Sequence, residues 1–168
     1  MKKVWFPNID FVLKLCLFLA GALLVLFLPW KQTFASTPIR VIDGDTFEIS
    51  GQRYRLYGID CPESDQPFGR QAREAAVFYF DISQSPDIEV LGEDRYGRKL
   101  AIVSFGEDTL QEYLLQDGLA WLYTHGCRDF RCLGWGYRQI QARGSEQGLW
   151  ADPSPVPPWK WRRLQENN

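Results

Sequence analysis

Ile39-Arg40-Val41-Ile42-Asp43-Gly44-Asp45-Thr46-Phe47-Glu48-Ile49-Ser50-Gly51-Gln52-Arg53-Tyr54-Arg55-Leu56-Tyr57-Gly58 reads as short strands separated by tight turns. Ile39, Val41 and Ile42 are β-branched and apolar, so Ile39 to Ile42 reads as the first strand, and Asp43-Gly44-Asp45 turns the chain. Thr46 to Ile49 alternates polar and apolar, and Ser50-Gly51 turns it again. In the third strand, Arg53 to Gly58, a period of two sets Tyr54 and Leu56 on the core side. Arg53, Arg55 and Tyr57 then fall on the other face, so Arg55 points away from that core.

Downstream, Asp60 to Gly69 is marked as a loop by Pro62, Pro67 and Gly69. Arg70 to Ile82 carries Ala72, Ala76 and Tyr79, with Ala75 and Phe80, at helical spacing. Ile88 to Leu91 and Leu100 to Phe105 read as strands around Gly92-Glu93-Asp94-Arg95-Tyr96-Gly97-Arg98. Thr109-Leu110-Gln111-Glu112 is a capping box, and Gly118 is placed to end the helix it opens. Leu119 to Tyr123 is a further short strand, Tyr137 to Gln147 a last helix, and the tail from Asp152 is Pro-rich and extended. The order predicts an α+β fold: a five-stranded OB-type β-barrel with about three flanking helices.

The N-terminus reads differently. Lys2 and Lys3 precede an unbroken apolar run from Leu15 to Leu28, Pro29 ends it, and Thr33-Phe34-Ala35 puts small residues at an exit. That is the pattern of a signal peptide cleaved after Ala35. The alternative is an uncleaved membrane anchor over 9–30, with Lys14 snorkelling, since a span needs about 20 apolar residues. Residues 1–35 are therefore a leader or anchor, 36–151 the domain, and 152–168 a Pro- and Trp-rich tail. Either way the domain is exported, whether secreted, periplasmic or tethered outside the cytoplasm. In that oxidising space Cys127 and Cys132, which flank a four-residue loop, are expected as a disulfide rather than as a zinc fragment with His125.

Charge narrows the function. Four Lys and one Asp precede Ser36, leaving 15 basic and 20 acidic residues after it. This is a poor match to a binder that holds a polynucleotide on a broad basic face. It suits a monomer that touches phosphate at one place and turns over.

Three patches carry chemistry: Asp43-Gly44-Asp45-Thr46, Arg55 to Glu63, and Asp94 to Arg98. Singly each has a bland reading as a turn, a solvated strand residue or a hairpin. Jointly they place Asp43, Asp45, Asp60, Glu63, Arg55 and Arg98 at strand ends, which a barrel can cluster at one rim. Carboxylates and carbonyls are hard ligands, suited to calcium or magnesium. The only histidine, His125, lies in none of these motifs. Guanidinium forks bind phosphate oxygens in pairs, and a carboxylate can orient or deprotonate water. Glu63 is the free candidate for that step.

In order and approximate spacing these motifs resemble the staphylococcal nuclease (thermonuclease) family, from about Ile39 to Trp150. The resemblance includes Gln116-Asp117-Gly118-Leu119-Ala120 and Gly148-Leu149-Trp150. It implies a five-stranded OB barrel with three helices, and calcium-dependent endonuclease action on DNA and RNA that leaves 3′-phosphates. It implies Asp45, Asp60 and the backbone carbonyl of Cys61 as ligands to calcium (Ca2+), with Asp43 near the metal through water. Arg55 and Arg98 would grip the scissile phosphate, Arg98 also helping the leaving oxygen, and Glu63 would handle the attacking water. Tyr96 stands where the family places a substrate-facing tyrosine. Cys61 departs from the type enzyme, which has Thr there, and this chain lacks that enzyme's basicity. The competing reading is a catalytically silent OB-fold module that binds nucleic acid or protein. The complete carboxylate–arginine set favours the enzyme. A membrane-tethered structural protein using the Trp-rich tail would leave the carboxylates unexplained.

Overall fold

The computed structural model describes residues 38–83 and 85–166. The leader or anchor expected over 1–35 lies outside the described residues. Among the described residues, no helix is long and apolar enough to cross a membrane.

The opening stretch folds as three antiparallel-paired strands: β1 (Ile39–Val41), β2 (Thr46–Ile49) and β3 (Gln52–Leu56). β5 (Asp87–Glu93) and β6 (Lys99–Phe105) form an antiparallel hairpin. β6 then pairs in parallel with β3, giving the sheet order β1-β2-β3-β6-β5. A parallel pair needs a crossover. Here the crossover includes β4 (Ile59–Asp60), helix α1 (Gly69–Ile82) and β5. Two-residue strands finish the set: β7 (Asp108–Thr109) pairs with β6, and β8 (Trp121–Leu122) pairs with β4. The five longer strands and the inserted helix are the α+β, OB-like fold expected.

Helix α1 buries Ala72, Ala76 and Tyr79, as its spacing predicts, and also Gly69, expected in the preceding loop. Helix α2 (Leu110–Gln116) opens on the Thr109–Glu112 capping box. It closes in a Schellman motif, with Gly118 at φ 64° and the Leu119 N–H donating to the Leu114 carbonyl at 2.8 Å. Between sheet and helices lies a core that includes Phe47, Leu56, Ile59, Ile102, Leu110, Leu114, Leu115 and Trp135. Fully burying a side chain of this kind contributes roughly 1.5–3 kcal/mol.

Three local expectations are corrected. The helix expected over Tyr137 to Gln147 is α3 (Arg131–Gly144). It starts early, just after Phe130, where the preceding Asp129 carboxylate accepts the Arg131 N–H at 2.9 Å, a local bond beyond the reach of apolar spacing. It ends early because Glu146 takes a left-handed φ of 54° and the Gln147 N–H closes back on the Ala142 carbonyl at 2.9 Å. Asp60, expected in a loop, is in β4, held by pairing with Trp121. The tail is not extended throughout. After the 3₁₀ turn Gly148–Ala151 it forms α4 (Pro158–Glu166), so four α-helices are described rather than three. Proline suits the first helical turn because its missing N–H would have no partner there.

Candidate active site

The ends of β1 to β4 and the β5–β6 hairpin converge on a cleft of about 1140 Å³. Asp43, Asp45, Arg55, Asp60, Cys61, Glu63, Tyr96 and Arg98 all line it, so the fold brings the whole predicted set together. Each arrives by a local route. Asp43 and Asp45 leave the β1–β2 turn, where the Asp43 carboxylate accepts the Asp45 N–H at 3.1 Å. Arg55 stands next to the last residue of β3, paired with Thr46. β4 delivers Asp60, and the chain beyond it carries Cys61 and Glu63.

Asp45 and Asp60 are the most enclosed carboxylates, 3% and 1% exposed. Burial of two such charges is costly unless each is paired. Arg55 pairs both: one terminal nitrogen is 2.6 Å from Asp45 Oδ1 and the other 2.5 Å from Asp60 Oδ1. The second Asp45 oxygen accepts the Cys61 N–H at 2.8 Å. Burial still pushes the Asp45 carboxyl up, with Arg55 opposing it. Burial works against the Arg55 charge too, but Asp45 and Asp60 outweigh it and hold the guanidinium above its ordinary value.

Cys61 is a free, buried thiol. Its burial, reinforced by Asp45, Asp43 and Asp60, pushes the thiol well above the usual range. A protonated, enclosed sulfur is neither a ready nucleophile nor a ligand.

Glu63 is placed by its backbone. Its N–H donates to Gln66 Oε1 at 3.2 Å, and its carbonyl accepts the Gln66 N–H at 2.9 Å. Gly69 passes so close that a Cβ there would stand 1.8 Å from that carbonyl oxygen. Only glycine fits this approach.

On the opposite wall, Arg98 Nε donates to Asp94 Oδ2 at 2.8 Å. Burial pushes the Asp94 carboxyl up, but N–H donation from Arg98 and Tyr96 and the Arg98 guanidinium together hold it below its ordinary value. Asp94 is thus the residue that orients Arg98. The Tyr96 ring is exposed, 5.6 Å from the Arg98 guanidinium carbon and hydrogen-bonded through its hydroxyl to Arg95 at 2.6 Å. Tyr123 also lines the cleft, fixed by its N–H to the Gly58 carbonyl at 2.8 Å. Cys127 and Cys132 are joined in a disulfide with Cα atoms 5.9 Å apart. Cys127 stands next to Gly58, which lines the cleft: a Cβ on Gly58 would come within 2.6 Å of the Cys127 sulfur.

The residue that sequence reasoning missed is Arg162, on α4. Its terminal nitrogens lie 3.2 and 2.8 Å from the two Asp60 oxygens, and it also pairs with Glu63. A proline at the expected start of a helical turn was the available signal.

The donor set suits a hard cation. Asp45, Asp60 and the Cys61 carbonyl offer oxygen alone. Among the described residues, no three His, Cys, Asp or Glu side chains gather as a metal cluster. A cation here would therefore draw on two carboxylates and a main-chain oxygen. Both carboxylates already require adjacent positive charge, which Arg55 supplies and a cation could share.

The cleft sets buried carboxylates against guanidinium groups on an OB-like barrel. The chain matches the staphylococcal nuclease homologue family over residues 53–152 and belongs to it. It is 32% identical over 163 residues to a micrococcal nuclease of Shigella flexneri, covering 88% of this chain and 91% of that protein. It is 33% identical over 129 residues to an uncharacterized endonuclease of Escherichia coli O157:H7, covering 74% and 82%. It is 31% identical over 134 residues to a staphylococcal-like nuclease of Arabidopsis thaliana, covering 79% of this chain and 40% of that longer protein.

Proposed function

We propose that this chain is a calcium-dependent endonuclease that hydrolyses phosphodiester bonds of DNA, RNA or both. Its family membership supports nuclease chemistry. The observation that carries the reading is Arg55 held between two buried carboxylates, in one cleft with Glu63 and Arg98.

In this reading Asp45, Asp60 and the Cys61 carbonyl would hold the cation, with Asp43 near it through water. The bound cation would act as a Lewis acid on the phosphate. Arg55 and Arg98 bind the non-bridging oxygens and follow their rising charge, and Arg98 also steadies the leaving oxygen. Asp94 keeps Arg98 aimed into the cleft. Glu63 orients the attacking water and accepts its proton as the bond to phosphorus forms. The bond to the 5′ oxygen then breaks, leaving a 3′-phosphate. Tyr96, exposed at the cleft wall, is placed to contact the substrate.

The charged start and apolar run before Ser36 support export, with the domain acting outside the cytoplasm as a monomer, secreted or tethered. Digestion of single- and double-stranded DNA and RNA, with calcium, magnesium or chelator, tests the activity. Cleavage that needs calcium and leaves 3′-phosphates is expected. Cleavage undiminished by chelator would contradict it.

A further inference from the structure

We propose that Arg162 is a positioning residue of the active site, and that α4 is a working wall of the cleft rather than a tail. The inference rests on the nuclease reading above.

Three observations converge. First, the Arg162 guanidinium spans both oxygens of Asp60 and continues to Glu63, so one group fixes the relation between a proposed ligand and the proposed water-handling carboxylate. Second, a separate link ties the same loop to the segment before α4. Gln66 accepts the Glu63 N–H with its amide oxygen and donates its amide nitrogen to the Val156 carbonyl at 2.6 Å. Third, the helix is anchored. Pro158 is fully buried, and Trp159 packs against Trp121 and Tyr123 with ring centroids 5.7 Å away in each case. The Trp161 indole N–H donates to Asp65 at 3.3 Å. This fixes the backbone from which Arg162 reaches into the cleft.

The geometry has two consequences of opposite sign. Arg162 holds Glu63 in place, which favours turnover. It also puts positive charge on Asp60, which opposes a cation there. Removing it should slow catalysis while tightening metal binding. A merely structural role would weaken both.

The test uses the full chain and its Arg162→Gln, Arg162→Lys and Lys160→Ala variants. Lys160 is an exposed neighbour on the same helix and serves as the control. Calcium affinity is read by calorimetry with calcium chloride alone, turnover with a defined oligonucleotide, and folding by near-UV circular dichroism. Arg162→Gln is expected to lower kcat about tenfold or more with KM changed less than about threefold. Its calcium dissociation constant should fall by about threefold or more as the competing charge leaves. Arg162→Lys should recover part of kcat but not the two-pronged geometry, and Lys160→Ala should behave as wild type. Unchanged kcat in folded Arg162→Gln, or weaker calcium binding alongside the lower kcat, overturns the proposal. If wild type neither binds calcium nor cleaves, the nuclease reading fails and this inference with it.

Discussion

Arg55 on β3 lies 2.6 Å from Asp45 in the β1–β2 turn, with its other terminal nitrogen on Asp60. Both carboxylates are buried and Arg55 is partly so, and its loss leaves Asp45 without its countercharge and Asp60 with Arg162 alone. Arg55→Ala should cost about 3 kcal/mol or more, the scale for removing one partner of a buried ion pair. Lysine, a point charge, should not restore both contacts. Calcium should return part of the lost thermal stability by supplying positive charge. Thermal unfolding of Arg55→Ala with and without calcium checks this; a calcium shift smaller than that of wild type would argue against a cation at these carboxylates.

Cys61 and Asp60 are adjacent but are expected to behave differently. A main-chain carbonyl is available whatever the side chain, so Cys61→Thr and Cys61→Ala should keep turnover and calcium affinity within a few-fold, about 1 kcal/mol. Asp60→Ala removes a charged ligand and should cost far more. The native Cys61 thiol, buried and held protonated, should resist alkylation at pH 8 until the protein is unfolded. Damage in Cys61→Ala equal to that in folded Asp60→Ala would point to sulfur chemistry.

Gly69→Ala reports on how Glu63 is held. The added methyl would meet the Glu63 carbonyl oxygen at 1.8 Å, so the backbone must move. We expect kcat to fall together with the melting temperature, although Gly69 touches no substrate. A folded variant of full activity would show that Glu63 does not depend on this contact.

Acid sensitivity should have a local source at the start of α3. Side-chain hydrogen bonds from Arg131 hold the Asp129 carboxyl down to about 2. A depressed carboxyl adds stability that is fully present above its ordinary value near 4 and is lost as pH falls toward 2. Asp129→Asn should therefore lower stability at neutral pH and flatten its decline between about pH 4 and pH 2. Denaturant titrations at several pH values measure this; an unchanged slope would remove Asp129 as a contributor.

The sequence revealed the barrel and most of the site because their determinants are local. Asp43, Asp45 and Arg55 sit within one three-strand meander, and Arg98 within a hairpin beside its own partner Asp94. Turn residues and a period of two mark the strand ends on which they lie, and the family resemblance supplies their expected roles. Arg162 was not legible because its partner, Asp60, is 102 positions away and the intervening Pro-rich stretch masks a helix. The start of α3 was missed for a related reason. Gly134 and Gly136 weaken its helical pattern, and the Asp129 bond to the Arg131 N–H and the Cys127–Cys132 disulfide hold it instead. Tyr123 likewise reaches the cleft through the β4–β8 pairing, a contact between distant segments.

The most direct test of the central claim is turnover of one defined oligonucleotide by wild type, Glu63→Gln and Arg98→Ala, each at saturating calcium and shown to be folded. Both residues act on the transition state, so each variant should lose on the order of a hundredfold or more in kcat, with the melting temperature little changed. Wild-type turnover in both folded variants would contradict the assignment of this cleft as the active site.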